Sequence, residues 1–570
     1  MRPGKGLVAL YVECLKKSWE AHLKVEPQDG FISMGALEGF IAPSEKTYTL
    51  TNTGIEPLGW SVGLSAPWIT ALPASGTLAA GESAGLTVSF KREELSLLLE
   101  GEHRGEIAFS NLTNSSGNTS RGVMLTLTAG PLRAGSISQY GITWTFDKPY
   151  RVGRFVNGDW WMVPDEAKGT VTVVSVEPAP SGMGASARNG SMRNPMGALS
   201  QSYDGRAERY TELSKVVFPL QLAPWDSLMS SISRPDDDGI RSDVWNRPTS
   251  LSRVKLLTMA VLTCMPHDST DLSYKFRPPY SHPFSGGPAD KPLYDARNIN
   301  WSLLPSIAPS PGYPSMAAGI RGFQRVCPMH ASAWLGEQIR PVENCGGYYS
   351  SQHSAESRYA LLMFSDPAIV GDRTELVRNF IQFGIDTLYA LRSYDPQDST
   401  RNDRVISKWP MVFAGLMLND PDMRNIPSQA YIKTEETSYG PGWTGADVIR
   451  GEHELLHYTS WCAYQTGGSG FKAETYRRQT HSWNWVGTAL AARLMNAEAA
   501  WDHPAFFDYV DRWMLFGKYA NDDANYGEVN ALAAANPCGD NPPLTGIGYR
   551  QGIVPGEAWV KSMWDQYRSS

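Results

Sequence analysis

LVRNFIQFGIDTLYALRS, residues 376–393, decides how the larger part of this chain is read. Leu376, Phe380, Ile381, Gly384, Ile385 and Leu388 recur at three- and four-residue intervals, which places them on one face of a helix. Trp483, Val486, Leu490 and Leu494 share the face of another helix, and Phe507, Val510 and Met514 that of a third. Asp366-Pro367, Asp420-Pro421 and Asp502-His503-Pro504 read as helix starts, because Asp caps free N–H groups and Pro suits a first turn. Leu256, Leu257, Ala260, Val261 and Cys264 follow helical spacing as well, so the helical character is expected to begin after about Leu251. Helices in antiparallel pairs, joined by loops rich in Gly, Pro and aromatics, fit an (α/α) toroid better than a compact bundle. The long loops at one end would form a cleft.

Upstream the period falls to two. From about Gly30 to Gly130, runs such as Tyr48-Thr49-Leu50-Thr51 and Gly85-Leu86-Thr87-Val88-Ser89-Phe90 alternate, with turn clusters such as Asn52-Thr53-Gly54 between them. That spacing predicts a small antiparallel β-sandwich. A second β-rich region, 131–250, contains Gly141–Phe146 and Gly169–Val174. Between these lies Gly153–Trp161, a strand–turn–strand ending in adjacent Trp160 and Trp161. Neighbouring strand residues face opposite ways, so one Trp can be core and the other a surface platform, although packing on both sides fits better. The expected order is thus an N-terminal extension at 1–29, a sandwich at 30–130, a second β domain at 131–250 and a toroid at 251–570.

At 570 residues the chain exceeds one ordinary core, and 42% hydrophobic with 19% charged residues marks a folded protein. A net charge of -7 argues against nucleic-acid binding. The 19 Trp and 25 Tyr suit the gripping of flat sugar faces, and equally the filling of large cores. None of Cys14, Cys264, Cys327, Cys345, Cys462 and Cys538 forms a C-x-x-C pair; Cys327 and Cys345 can pair only in an oxidising compartment. The apolar run Gly6–Leu15 is interrupted by Glu13, making it a poor signal peptide and too short for a membrane span. No phosphate-cradling loop, dinucleotide fingerprint or G-x-S-x-G elbow occurs.

Two stretches resemble known families. TLTNTGIEPLGWSV, APWITALPASGTLAAGESAGLTVSF and GEIAFSNLT are similar to a BACON-type immunoglobulin-like module in the Trp60 strand, Pro67-Trp68-Ile69, the Ser75–Leu78 turn and the Asn111 strand end. That resemblance implies an accessory domain of extracellular carbohydrate-active proteins, and hence an extracellular or periplasmic location. FIQFGIDTLYALRS, KWPMVFAGLMLNDPDM, ETYRRQTHSWNWVGTALAARLM and HPAFFDYVDRWM, with NGSMRNPMGALSQSYDGR and FRPPY upstream, resemble bacterial helical-toroid proteins of alginate- and heparinoid-lyase architecture. This second resemblance spans most of 140–570 and implies a polysaccharide partner, with no cofactor required.

The densest chemistry lies in Gly451-Glu452-His453-Glu454-Leu455-Leu456-His457-Tyr458 and Glu474-Thr475-Tyr476-Arg477-Arg478, with His481 following. A lyase acting on uronate polymers must neutralise the sugar carboxylate, remove the C5 proton and protonate the departing O4. His457 suits the base or neutralising role, Tyr476 proton transfer and Arg477 the carboxylate clamp. His353 and Tyr349, in GGYYSSQHSAESRY, are expected from a facing loop. Tyr349, Tyr458, His481, Arg404, Lys408 and Trp483 are expected to line the substrate, although Arg404 and Lys408 equally suit a loop coat. His457 and His481 equally suit helix caps or packing.

Three alternatives stay open. His453-Glu454-x-x-His457 with Glu474 spells a zinc-peptidase pattern, but Gly467-Gly468-Ser469-Gly470 interrupts the helix before Glu474 and the toroid resemblance needs no first His. Zinc or calcium in a supporting role fits the lyase reading too. An inverting hydrolase would pair carboxylates from Asp386, Asp403, Glu454 and Asp511, while Asp508, Asp511 and Arg512 look like an ion-pair face. A glycan-binding protein with a degenerate site is the non-catalytic alternative. The polymer and the oligomeric state are not written in these residues.

Overall fold

The computed structural model describes residues 20–36, 41–95, 98–128, 132–196, 201–207, 210–235, 255–328, 339–341, 349–394, 407–427, 432–439, 448–450, 482–515 and 558–568. Its contacts divide the chain into two units, Met1–Arg133 with Arg151–Arg154, and Ala134–Tyr150 with Phe155–Ser570.

In the first unit the alternating runs become strands that bury every second side chain. Strands β1 (Leu23–Glu26), β2 (Phe31–Ala36), β3 (Ile41–Ala42), β4 (Glu45–Asn52), β5 (Leu58–Leu64), β6 (Ile69–Leu72), β7 (Ser75–Leu78), β8 (Ser83–Phe90), β9 (Gly101–Asn111) and β10 (Thr119–Thr128) make two sheets. Their orders are β1-β4-β8-β6 and β3-β2-β10-β9-β5-β7. Tyr48, Leu50, Leu86 and Val88 from the first sheet meet Trp60, Ile107, Phe109 and Leu125 from the second in one core. Tyr48 and Phe109 touch edge to face at 5.4 Å between ring centroids, so this is a β-sandwich. Two buried asparagines close its ends. Asn52 donates to Glu56 O and Leu78 O and accepts from Gly54 N; Asn111 donates to Ala21 O and Ser116 O and accepts from Thr113 N.

The second unit opens with β11 (Arg133–Gln139), β12 (Ile142–Arg154), β13 (Trp160–Val163), β14 (Val171–Glu177), β15 (Ser191–Arg193), β16 (Leu220–Leu222), β17 (Ser227–Ser233) and β18 (Leu256–Cys264). They form one eight-stranded sheet, ordered β15-β17-β18-β13-β12-β14-β16 with β11 on β12. The helical reading of Leu256, Leu257, Ala260, Val261 and Cys264 is corrected here: they lie in β18, parallel to β13 and antiparallel to β17. A strand covered on both faces carries a nearly continuous apolar run, and its period-two signal disappears. The β-rich region therefore runs on past residue 250. Trp160 and Trp161 are both buried, at 4% and 8% exposure, which leaves no surface platform at that turn.

Helices follow. They are α1 (Met316–Gly322), α2 (Tyr349–Phe364), α3 (Thr374–Arg392), α4 (Trp409–Leu418), α5 (Val486–Leu494), α6 (Pro504–Leu515) and α7 (Ala558–Tyr567), with single turns between them. The Asp-Pro starts behave as capping chemistry demands: Asp366 accepts from Ala368 N, and Asp420 from Met423 N. α3 packs on α4, α4 on the turn Glu498–Trp501, α6 on α5, α5 on α2, and α1 on both α2 and α3. Met229, Met259 and Val261 of the sheet join Leu361, Phe380, Phe413, Leu490 and Phe506 of the helices in one hydrophobic cluster. Among the described residues no helix is long and apolar enough to cross a membrane.

Gly384 sets the α3–α4 spacing. A Cβ there would collide with the Pro410 carbonyl and lie 2.7 Å from the Ala414 Cβ, both on α4. Gly384→Ala is expected to destabilise this unit by about 1–3 kcal/mol through overpacking, read as a lower urea midpoint of the helical circular-dichroism signal.

Candidate functional site

The expected cluster falls mostly where the structure gives no description. His453, Glu454, His457, Tyr458, Glu474, Tyr476, Arg477, His481 and Arg404 lie outside the described residues, as do Asp403 and Cys345. Tyr349 and His353 were expected on a loop; they instead occupy the first turns of α2, where backbone alone is described. The run from Tyr349 to Phe364 contains neither Gly nor Pro, so nothing stops the helix before Asp366-Pro367. Trp483 lies in the 3-10 turn Ser482–Trp485 that leads into α5, and its side chain is likewise outside the description. The Ser357 hydroxyl of α2 donates to Asn484 O of that turn and lies 3.1 Å from the Thr488 hydroxyl. α2, which carries His353, is therefore in direct contact with the turn Ser482–Trp485.

Lys408 immediately precedes α4 and points inward rather than coating a loop. Its ammonium donates to Trp501 O at 2.5 Å and lies 3.6 Å from Glu435 Oε2; both side chains are inaccessible to solvent. The Trp501 indole donates to Glu435 Oε1 at 3.1 Å, and His503 Nδ1 stands 3.6 Å from Glu435 Oε2. Burial pushes the Lys408 ammonium below its usual range, with Glu435 pulling the other way.

Of the acids proposed for hydrolysis, Asp511 is held by Arg493 at 2.8 Å and by Arg568 at 2.5 Å. Asp508 accepts from the Tyr439 hydroxyl. Asp386, on α3, is fully buried and pairs with Arg277 at 2.5 Å.

That last pair lines a polar pocket that sequence reasoning did not single out. FRPPY places Arg277 between buried Phe276 and Tyr280, and Pro278-Pro279 hold the backbone extended as it passes α3. On the sheet side, the tight turn Asn157-Gly158-Asp159 joins β12 to β13, with Gly158 at φ 88°, and it delivers Asp159. Arg277 Nε donates to Asp159 Oδ2 at 2.7 Å, Nη2 to Asp386 Oδ2 and Nη1 to Pro278 O at 2.8 Å. Burial alone would lower the Arg277 pKa, but Asp386 and Asp159 together hold it above its ordinary value. Burial pushes the Asp386 carboxyl up to about 6, against the pull of Arg277. Tyr140, Asn157, Phe323, Arg325 and Gln382 complete the wall of a narrow polar cleft with room for about one water molecule.

A neighbouring buried lysine was missed as well. Lys291 Nζ donates to Asn194 Oδ1 at 2.8 Å, Trp225 O at 3.0 Å and the Ser227 hydroxyl at 3.2 Å. Burial lowers its pKa to about 7, with Asp226 opposing. With three acceptors filled by three donors, this group ties loops together. Among the described residues no group of three or more His, Cys, Asp or Glu side chains could hold a metal ion. Cys264 is a buried free thiol whose pKa burial pushes far up, which makes it inert.

No family model matches this chain, and no curated protein matches it. Among solved structures it is similar to WR4, a C. elegans MSP family member, at 14% identity over 19% of this chain and 100% of that one, with a TM-score of 0.14. It is also similar to the E. coli chaperone DraB, at 10% identity over 37% of this chain and 90% of that one, with a TM-score of 0.16. A protein of unknown function from Porphyromonas gingivalis W83 is 17% identical over 19% of this chain and 48% of that one, also with a TM-score of 0.16. Likeness at these TM-scores carries no argument. The sandwich rests on its own strand pairing.

Proposed function

We propose that this chain is an extracellular or periplasmic glycan-acting enzyme that cleaves a uronate-containing polysaccharide by β-elimination. In this reading the helices belong to an (α/α) toroid and the N-terminal sandwich is a BACON-type immunoglobulin-like accessory domain. The observation that carries it is the Ser357–Asn484 contact. It joins α2, which begins with Tyr349 and His353, to the turn that follows the His- and Tyr-rich segment 451–481. The succession of helix contacts, α3 to α4 to the Glu498–Trp501 turn and α6 to α5 to α2, supports a toroidal order.

The chemistry follows from the residue types. Arg477 neutralises the C6 carboxylate of the sugar, which acidifies the C5 proton. His457 or Tyr476 takes that proton; the electron pair forms the C4–C5 double bond, and the C4–O4 bond breaks. The departing O4 receives a proton from the other of the two groups. Hydrolysis is the second reading. It is weakened at two of its four candidate acids, because Asp386 and Asp511 are both held in arginine pairs. Zinc or calcium in a supporting role, or a zinc peptidase using His453, His457 and Glu474, would show as sensitivity to chelators.

Incubation with alginate, ulvan and glycosaminoglycans is expected to give rising ultraviolet absorbance from the unsaturated sugar. Tyr476→Phe and His457→Gln are each expected to lower kcat by about 10²–10⁴-fold with the circular-dichroism spectrum unchanged. Reducing ends without that absorbance would replace the lyase with a hydrolase. Peptide cleavage abolished by a chelator would replace it with a peptidase, and glycan binding without turnover would leave only a binding protein.

A further inference from the structure

We propose that the turn Ala223-Pro224-Trp225-Asp226 carries a glycan contact of its own, with the Trp225 indole as platform for a sugar ring and the Arg193 guanidinium as clamp for its carboxylate. It rests on the acidic-glycan reading above and adds a place where the polymer is held. The turn joins β16 to β17 in the second unit. Asp226 N donates to Ala223 O at 3.0 Å, Pro224 fills the second position, and Trp225, in the third, has φ 73°. Those are the features of a type II turn, whose third position calls for glycine because a Cβ crowds the backbone at positive φ. A tryptophan there carries a steric cost that glycine would avoid, so the position is held for its side chain.

The surroundings fix that strained turn from several sides. Trp225 N donates to Cys264 O at 2.6 Å, and Trp225 O accepts from Lys291 Nζ at 3.0 Å. Asp226 has both carboxylate oxygens filled, Oδ1 by Asn194 Nδ2 at 2.5 Å and Oδ2 by Ala223 N at 2.9 Å. Asn194 Oδ1 in turn accepts from Ser227 N and from Lys291 Nζ, each at 2.8 Å. Backbone strain that so many partners maintain is a mark of positions that present a group to a ligand. Core packing accounts for only part of the indole. It rests against the cluster of Phe155, Trp161, Val163, Met265 and Leu272, yet stays half-buried.

Arg193 supplies the charge. It ends β15, an edge strand of the sheet, and its side chain is 52% exposed. Its guanidinium lies 3.9 Å from Asp226 Oδ2, the oxygen that Ala223 N already engages, and makes no hydrogen bond among the described residues. The donor fork thus stands open beside the turn that bears the indole. An exposed pair at that distance is worth little in water, so an incoming carboxylate competes for the guanidinium at small cost. A planar fork matches a carboxylate with two parallel hydrogen bonds, and a half-exposed ring takes the C–H face of a sugar. Together they favour a uronate over a neutral sugar.

Affinity electrophoresis of the full chain tests the site, in gels containing alginate, ulvan or hyaluronan, with dextran as neutral control. Tyr476→Phe serves as the background, so that elimination leaves the polymer largely uncut. Retardation by at least one acidic polymer and none by dextran is expected. Arg193→Gln and Trp225→Gly are each expected to weaken that binding about fivefold to tenfold, as one lost contact does. Arg193 is exposed, so its variant keeps the unfolding midpoint and stays readable should Trp225→Gly lose stability with its packing. No retardation by any acidic polymer, equal retardation by dextran, or parental affinity in Arg193→Gln would each overturn the proposal. A lower unfolding midpoint in Trp225→Gly with parental affinity would overturn it too, because the indole would then serve packing alone. Binding that depends on Arg193 and Trp225, with no unsaturated sugar released by the parent chain, strikes the elimination reading and leaves this site. Elimination with parental affinity in both variants does the reverse.

Discussion

Replacing Arg277 with methionine is expected to destabilise the second unit by about 3–5 kcal/mol at neutral pH, the usual consequence of leaving a buried carboxylate without its partner. Asp386 has no exposure, and Arg277 is the described group that bonds its Oδ2, so the variant strands a charge in a buried cleft lined by Phe323, Met259 and Val261. The loss should depend on pH in a definite direction. Burial already raises the Asp386 pKa to about 6, and removing the guanidinium raises it further. A carboxyl whose folded pKa lies above its unfolded value contributes stability below the unfolded value, near 4, and that contribution is lost as pH rises through the folded pKa. Arg277→Met should therefore approach the parent's stability toward pH 4–5 and fall away toward pH 8. Arg277→Met combined with Asp386→Leu should recover much of the loss at neutral pH, since an apolar pair of similar volume leaves no orphan charge. Thermal unfolding across that pH range, followed by near-ultraviolet circular dichroism, reads both effects. A pH-independent loss, or no rescue in the double variant, would show that the pair is not the buried unit described.

Lys408→Met is the second large effect, expected at about 3 kcal/mol. It removes the donor to Trp501 O and leaves Glu435 Oε2 with the His503 ring 3.6 Å away. Trp501 stacks on Phe506 at 4.5 Å and on Trp409 at 6.1 Å, so slack at its carbonyl reaches the interface between α4 and α6. Adding Glu435→Gln should return part of the stability by removing the uncompensated charge. The same variant separates two roles for Lys408. A buried structural lysine changes the unfolding midpoint, whereas a lysine that touches anionic sugar changes KM with the midpoint held. Denaturant titration alongside the turnover assay distinguishes them, and an unchanged midpoint would contradict the inward geometry.

How much of this was written in the chain varies by element. α3 is buried all round, yet it was legible because Leu376, Phe380, Ile381, Ile385 and Leu388 keep the helical period while Asn379, Gln382 and Asp386 take another side. The sandwich strands were legible for the matching reason, with one face in the core and the other toward solvent. β18 was misread because side chains on both of its faces are buried, and an all-apolar run carries no period. α2 was taken for loop because Tyr-Tyr-Ser-Ser-Gln-His is polar and weak in propensity; packing on α5 holds that helix, and packing is not a local property. Lys408 looked like a surface cation until its partners Glu435 and Trp501 arrived from distant sequence. The Arg277 site was invisible for the same reason. Its partners lie 118 and 109 residues away, and neither FRPPY nor Asn-Gly-Asp announces an ion pair by itself.

The central claim is that groups carried by 349–353 and 451–481 perform elimination on an acidic glycan. Mass spectrometry of the oligosaccharides released from a uronate polymer tests it most directly. Elimination adds no water across the broken bond, so each newly cut non-reducing end should be lighter by one water than its hydrolysed counterpart, and Tyr476→Phe should release almost none. Products at the hydrolysed mass, or the lighter products persisting in Tyr476→Phe at the parent's rate, would contradict it.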